Sequence, residues 1–339
     1  MKKIIMLFCM ALLFGTSACT AQTATITPAT EVATEIVTQP AAEAATAIPP
    51  ARKGPGGAGT SLLTAVPAFS DLAYASLSSA QKLDLYIPSG TGPFPVIIIV
   101  HGGAFLMGDK AAGDATTGID KLLSQGFAVA SINYRLSGEA IAPAQIQDVK
   151  AAVRFLRANA AQYNLDPQNF GAWGGSAGGS LVSLLGTSCG IAELEGAELG
   201  NAEETSCVQA VVDWFGPIDF LQMDAQFTGT SCPVDHNAAN SPESQLVGGP
   251  IQDNVKAVQL LNAATYITPD DPAFFIQHGT SDCNVPPQQS QLFYDALSAT
   301  LGTDKVTLIL LEGAGHGGTQ FSTEENLNLV VEFLNEYLK

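Results

Sequence analysis

From residue 80 onward two hydrophobic patterns alternate along the chain. "PVIIIVHGG" (95–103) is an unbroken apolar run ending in glycines, as a strand buried on both faces would be. "GFAVASINYR" (126–135) is a second such run. In "AQIQDVKAAVRFLRANAAQYN" (144–164), Ile146, Val149, Val153, Leu156 and Ala160 recur at spacings of three and four, which predicts an amphipathic helix. Next come "NFGAWGG", a helix from about Ser176, "VQAVVDWFGPID" and a long polar excursion. "AFFIQHGTSD", a helix near 288–301, "KVTLILLEGAG" and a closing helix to Lys339 complete the pattern. Strands separated by helices predict an α/β fold, with a mainly parallel central sheet covered by helices on both faces. No internal repeat is visible.

In such sheets sites gather at the carboxyl ends of the strands. Three of the predicted strands end in "HGG", "GTSD" and "GAGHGG", so reactive residue types collect at one edge. "FGAWGGSAGGSLVSLLG" (170–186) sets a serine among glycines between a strand and a helix. Its core, "GGSAG", fits G-x-S-x-G, a strained turn on which Ser176 projects above the sheet. The helix that follows offers free N–H groups to a negative oxygen.

A serine hydroxyl needs an imidazole to take its proton. Of four histidines, His316 follows the last strand and is the expected base. His278 lies within a strand end and is read as a core hydrogen-bonding residue, His236 as exposed in the excursion, and His101 as structural. Asp282 ends the preceding strand, and the order Ser…Asp…His suits it as the acid; Asp219 is the runner-up. Asp270 and Asp271 precede their strand and read as turn residues. For the oxyanion, Gly102, Gly103 and Ala104 in "HGGAF" are expected to converge with the N–H of Ala177. Phe105, Trp214 and Phe215, together with the excursion (222–262), are candidates to line the substrate pocket.

Composition narrows the partners. The chain has 339 residues, 46% hydrophobic and 14% charged, ample for one large core, and its formal charge is −18. A nucleic-acid partner would require a basic face, which this balance argues against. Lys2 and Lys3, an apolar run (4–14) and "GTSAC" describe an export signal over 1–19. Cys19 after small residues resembles the lipobox of bacterial lipoproteins, although Thr16 stands where that pattern has leucine; cleavage nearby and secretion is the alternative. Residues 20–60 form a Thr/Ala/Pro/Glu-rich tether too poor in apolar surface to fold, with a reach on the order of 30 Å. The folded domain is expected over 61–339. Four cysteines remain, and an even number in an exported chain suggests two disulfides with three possible connectivities. Cys189 with Cys207 flanks one acidic insertion, which leaves Cys232 with Cys283.

From about Leu83 to its end the chain resembles the α/β-hydrolase superfamily, near the hormone-sensitive-lipase-like and acetyl xylan/feruloyl esterase (BD-FAE-like) branch. The resemblance rests on "HGGAFLMGDK", "INYRL", "PAQIQDVKAAVRFLRANAAQYNLDP", "WGGSAGG", "VVDWFGPIDF", "SPESQLVGGP" and "GAGHGG". It implies a serine carboxylic-ester hydrolase acting through an acyl-enzyme, without metal or organic cofactor, on acetyl or feruloyl esters of plant polysaccharide or other short-chain esters. An imidazole base with an ordinary value near 6.5 predicts activity that falls below about pH 6. Two departures are visible. Ala104 replaces a third glycine, leaving open whether the hole uses Gly102 with Gly103 or Gly103 with Ala104. The insertion "CGIAELEGAELGNAEETSC" is expected to reshape the site entrance. An oligopeptidase of the same fold, or a binding protein on a hydrolase scaffold, are the alternatives; the membrane enters only through Cys19.

Overall fold

Strand β3 (Phe94–Val100) runs through the middle of the sheet because its sequence, FPVIIIV, can be buried on both faces. Val96, Ile98 and Val100 enter the core on one face, and Ile97 and Ile99 enter the other. The computed structural model describes residues 63–339; the expected export signal (1–19), with Cys19, and the tether (20–60) lie outside the described residues. The other strands are β1 (Phe69–Ala73), β2 (Lys82–Tyr86), β4 (Ala128–Ile132), β5 (Leu165–Gly175), β6 (Ala210–Trp214), β7 (Ala273–Gly279) and β8 (Val306–Leu311). Their order is β1-β2-β4-β3-β5-β6-β7-β8. The β1–β2 and β2–β4 pairs are antiparallel and all others parallel, so the expected mainly parallel sheet is present. The edge hairpin β1–β2 was not among the predicted elements, since its strands are short and β1 is largely exposed.

Helices cover both faces. Ile119 and Leu122 of α1 (Ile119–Ser124) pack on the Ile97 face, and α2 (Ala144–Ala158) packs on the other. The predicted single helix breaks at Asn159, after which α3 (Ala160–Tyr163) forms a further turn. Helix α4 (Ala177–Thr187) is buried along its whole length, as an apolar helix without a polar face must be. The acidic insertion, with α5 (Ala192–Glu195), follows the C-terminal end of α4 and is closed by the Cys189–Cys207 disulfide. Glu195 docks it on α2, accepting from Lys150 Nζ at 2.7 Å and Arg154 Nη1 at 3.2 Å. This corrects the expected place at the site entrance: the 11-residue helix α4 separates the insertion from Ser176 by about 16 Å.

The polar excursion is not a loop. It carries α6 (Met223–Gln226), α7 (Pro242–Leu246) and α8 (Val255–Leu261), and Cys232 is disulfide-bonded to Cys283 just beyond β7. Both cysteine pairs are thus the ones anticipated. Helix α9 (Gln288–Leu301) covers the α2 face, and α10 (Glu324–Leu338) the α1 face. Among the described residues no helix is long and apolar enough to cross a membrane.

Candidate active site

The parallel strands β3, β5, β6 and β7 end together; the candidate residues lie at these strand ends or just beyond them, apart from those of the closing turn after β8. At the end of β5 the chain reverses into α4 within one residue. Ser176 sits at φ 55°, ψ −122°, a left-handed conformation that an L-residue adopts only under constraint. Two contacts supply that constraint. The Ser176 N–H donates to the Trp214 carbonyl at 2.9 Å, fixing the turn to the end of β6. Gly178 lets α4 approach β3 so closely that a Cβ there would lie 2.1 Å from the Val100 carbonyl oxygen.

Beneath this turn lies Asp213, fully buried on β6. It accepts from Ser183 Oγ at 3.0 Å and from the Gly216 N–H at 2.9 Å. Burial outweighs these two hydrogen bonds and pushes its carboxyl up to about 6.

Ser176 and His316 are 140 positions apart in sequence and meet at 2.8 Å, Oγ to Nε2. The other ring nitrogen of His316, Nδ1, is 2.7 Å from Asp282 Oδ2. The loop after β8 can hang the ring there because Gly317 and Gly318 take positive φ values of 83° and 109°. Asp282 is itself held: its Oδ1 accepts from the N–H groups of Asn284 at 2.7 Å and Val285 at 3.0 Å. Burial opposes ionisation of Asp282, but the neighbouring His278 and His316 rings and the backbone donor prevail, leaving its carboxyl well below the usual range. The runner-up acid, Asp219, does not reach His316. It caps a short turn, accepting from the Leu221 N–H at 3.2 Å and from Gln222 Nε2 at 2.6 Å.

The turn after β3 is wound unusually tightly. Gly103, Ala104 and Phe105 all have positive φ (110°, 55° and 60°), and the Gly103 carbonyl accepts from Leu106 and Met107 at 3.0 and 3.1 Å. Ser137 secures it, donating through N and Oγ to the Phe105 carbonyl at 2.8 and 3.1 Å. The N–H groups of Gly103 and Ala104 have no acceptor among the described residues. Ala177, first in α4, has no intrahelical acceptor for its N–H either. Gly102 is engaged differently, its carbonyl meeting His101 Nδ1 at 2.7 Å. A cavity of about 310 Å³ borders the same turn, lined in part by His101, Leu106, Tyr134, Leu136 and Glu139.

The three aromatic candidates for the pocket fare differently. Phe215 lies against the His316 ring, centroids 4.7 Å apart. Phe105 is buried at the turn, tilted 6.3 Å from Phe220. Trp214 belongs to the core, edge-on to Trp173 at 4.8 Å and beside Phe321. His101 is structural, stacked on Tyr134 at 4.4 Å. His236, in contrast to its expected exposure, is buried with Nδ1 3.1 Å from Glu243 Oε1, a pairing that outweighs desolvation and raises its pKa. Asp271 accepts from Thr268 in a turn, as read. Among the described residues no group of three or more His, Cys, Asp or Glu is arranged to hold a metal ion. Sequence reasoning missed the second imidazole at the acid: His278 Nε2 lies 3.2 Å from Asp282 Oδ2.

Comparison with known proteins gives the family of the chain and its fold. The profile of the BD-FAE family matches residues 83–297. The esterase LipC of Mycobacterium tuberculosis is 31% identical over 240 residues, which cover 70% of this chain but 57% of LipC, so the chain spans less than two thirds of that relative. Among solved structures, a bifunctional GH43-CE protein of Bacteroides eggerthii is 39% identical with a TM-score of 0.72, covering 80% of this chain and 35% of its own. A truncated carbohydrate esterase from gut microbiota is 35% identical with a TM-score of 0.74, covering 82% of this chain and 99% of its own.

Proposed function

The chain belongs to the BD-FAE family and has the α/β-hydrolase fold, and from that premise we propose that it is a serine esterase with Ser176 as nucleophile. The observation that carries this reading is the continuous hydrogen-bonded path from Ser176 Oγ through both nitrogens of His316 to Asp282. Ser176 Oγ attacks the ester carbonyl while His316 Nε2 takes its proton. The tetrahedral intermediate collapses, the alcohol leaves with that proton, and an acyl-serine remains. Water, deprotonated by His316 in turn, releases the acid and restores Ser176. Asp282 keeps the Nδ1–H tautomer and stabilises the imidazolium. The oxyanion is held by the N–H groups of Gly103, Ala104 and Ala177; those of Gly103 and Ala104 have no acceptor among the described residues.

The substrates are acetyl or feruloyl esters on plant polysaccharide, or other short-chain esters. This reading is supported by family membership and by the similarity to a carbohydrate esterase. Phe215, packed against the His316 ring, supplies apolar surface for such a group. The ester-bearing polymer would be met outside the cytoplasm: disulfides persist in oxidising compartments, and Cys19 is the residue that would carry a lipid anchor.

The test is hydrolysis of p-nitrophenyl acetate by the full chain beside Ser176→Ala, followed by acetylated xylan and ferulate esters. Turnover abolished by the substitution supports the reading; equal turnover in both proteins overturns it. Incorporation of radiolabelled lipid by the wild type and not by Cys19→Ala tests the anchor.

A further inference from the structure

Asp282 faces more donors than a triad acid requires. Its Oδ1 takes two backbone N–H groups and its Oδ2 takes His316, yet His278 also brings Nε2 to 3.2 Å from Oδ2. His278 is the penultimate residue of β7, which is buried throughout, and is fully enclosed. Its Nε2 hydrogen-bonds to the Val285 carbonyl at 3.0 Å, and its Nδ1 lies 2.7 Å from Ser290 Oγ on α9. Both neighbours of Nε2 are acceptors, so this nitrogen carries a hydrogen. A closed cycle results: the Val285 N–H donates to Asp282 Oδ1, while its carbonyl receives His278, whose ring flanks Oδ2.

Resting on the esterase reading, we propose that His278 is a positioning residue for the reaction, holding the Asp282 carboxylate in the plane of His316 and moderating the basicity of that ring. Val285 and Asp282 share one loop closed by the cycle, so the carboxylate cannot turn without losing the Val285 N–H at Oδ1 and the His278 contact at Oδ2. A positive hydrogen beside Oδ2 also draws charge from the oxygen that accepts from His316. The charged groups facing His278 are Asp282 on its own loop and Asp213 on β6, and His316 stands across the carboxylate. Phe215 packs edge-on to His278 at 6.4 Å and against His316 at 4.7 Å, so one ring touches both imidazoles.

The experiment compares His278→Leu with His278→Gln in the full chain, after wild type and Ser176→Ala have been assayed on p-nitrophenyl acetate. Leucine fills space without donating; glutamine returns an amide N–H near the position of Nε2. In the leucine variant kcat is expected to fall roughly 10- to 100-fold, by analogy with the partners that orient metal-bound imidazoles. KM should stay within about twofold, because no contact to substrate is lost. The acid limb of kcat/KM should move to higher pH, since Oδ2 becomes a stronger acceptor for His316. Glutamine should restore both kcat and the limb. Equal loss in the two variants with an unmoved limb, or no loss in either, overturns the proposal.

A second readout does not depend on turnover. The low-field proton resonance of His316 Nδ1–H should move further downfield in the leucine variant and stay in place with glutamine; an unmoved resonance in both overturns the proposal. Should the leucine chain fail to fold, Ser290→Ala, which frees the ring to turn, is read instead: a limb shift in the same direction supports the role and an unmoved limb overturns it. A folded wild type without Ser176-dependent turnover would overturn the esterase reading and leave the resonance to decide the role of His278.

Discussion

Cys283, the residue that follows Asp282, is disulfide-bonded to Cys232 in the excursion between β6 and β7, across 51 positions of chain. The bond ties the acid-bearing loop to the segment that packs over it. The second disulfide, Cys189–Cys207, spans 18 positions and closes an insertion at the far end of α4. The two cross-links therefore have different expected consequences.

Replacing Cys232 and Cys283 together by serine should lower stability by about 4 kcal/mol on loop length and reduce kcat as well, because Asp282 loses an anchor. Replacing Cys189 and Cys207 should cost about 3 kcal/mol and leave kcat unchanged. Denaturant titration and ester hydrolysis on the same samples check this. An unchanged kcat in the first pair would mean that the loop is held well enough by its hydrogen bonds.

Asp282→Asn should reduce kcat by roughly 10⁴-fold, since an amide cannot enforce the Nδ1–H tautomer of His316. Asp219→Asn should act on stability alone, by at most about 1 kcal/mol as a weakened cap. Steady-state kinetics on both variants distinguish the two acids, and a larger kinetic loss at Asp219 would reverse the assignment.

Gly178→Ala should abolish activity, and with it much of the soluble yield. The new Cβ would lie 2.1 Å from a backbone carbonyl of β3, which is fixed within the sheet. Gly138 is the control: a Cβ there meets nothing within 4 Å, so Gly138→Ala should be neutral or stabilise by about 0.5 kcal/mol. Thermal unfolding of the two proteins gives the comparison.

Asp213 predicts a pH effect on stability. Its folded carboxyl is raised from 3.8 to about 6, so between those values the folded state binds a proton that the unfolded chain releases. This group's contribution thus falls as pH rises from about 4 to 6, by about 3 kcal/mol in all. Asp282 has the opposite sign: its folded carboxyl is depressed, so its contribution is present above the unfolded value and is lost toward acid. The stability difference between Asp213→Asn and wild type should therefore grow in favour of the variant from pH 4 to 7. Urea titrations across that range measure it, and a flat difference would argue against an ionising Asp213.

Local grammar made much of this molecule legible. Apolar runs located the central strands, and the spacing of three and four located α2, because burial on two faces or one imposes those periods directly on the sequence. G-x-S-x-G is similarly local: the small residues are demanded by backbone contacts within the turn and with the adjacent strand, as Gly178 and Val100 show. The edge hairpin left no such trace, since short exposed strands need no apolar pattern. The helical content of the excursion was hidden for a related reason. Its helices are short turns whose stability comes from packing.

Long-range pairings followed a different rule. Lys150 and Arg154 are charged residues of α2, yet the insertion covers them and Glu195 pairs with both. His236 was read as exposed and is buried against Glu243. Nothing near these residues in sequence announces a partner, because the partner arrives from another element.

The sequence by itself determined the parallel strands of the sheet, the glycine-flanked turn at Ser176 and the candidate base, since each is specified by contacts among residues close in the chain or by the order of strands. Only the tertiary structure decided that Asp282 and not Asp219 meets His316, that the N–H groups of Gly103 and Ala104 have no acceptor among the described residues, and that a second imidazole flanks Asp282. Those outcomes depend on distances of about 3 Å between loops from separate strands, which the backbone sets only after the whole sheet has closed.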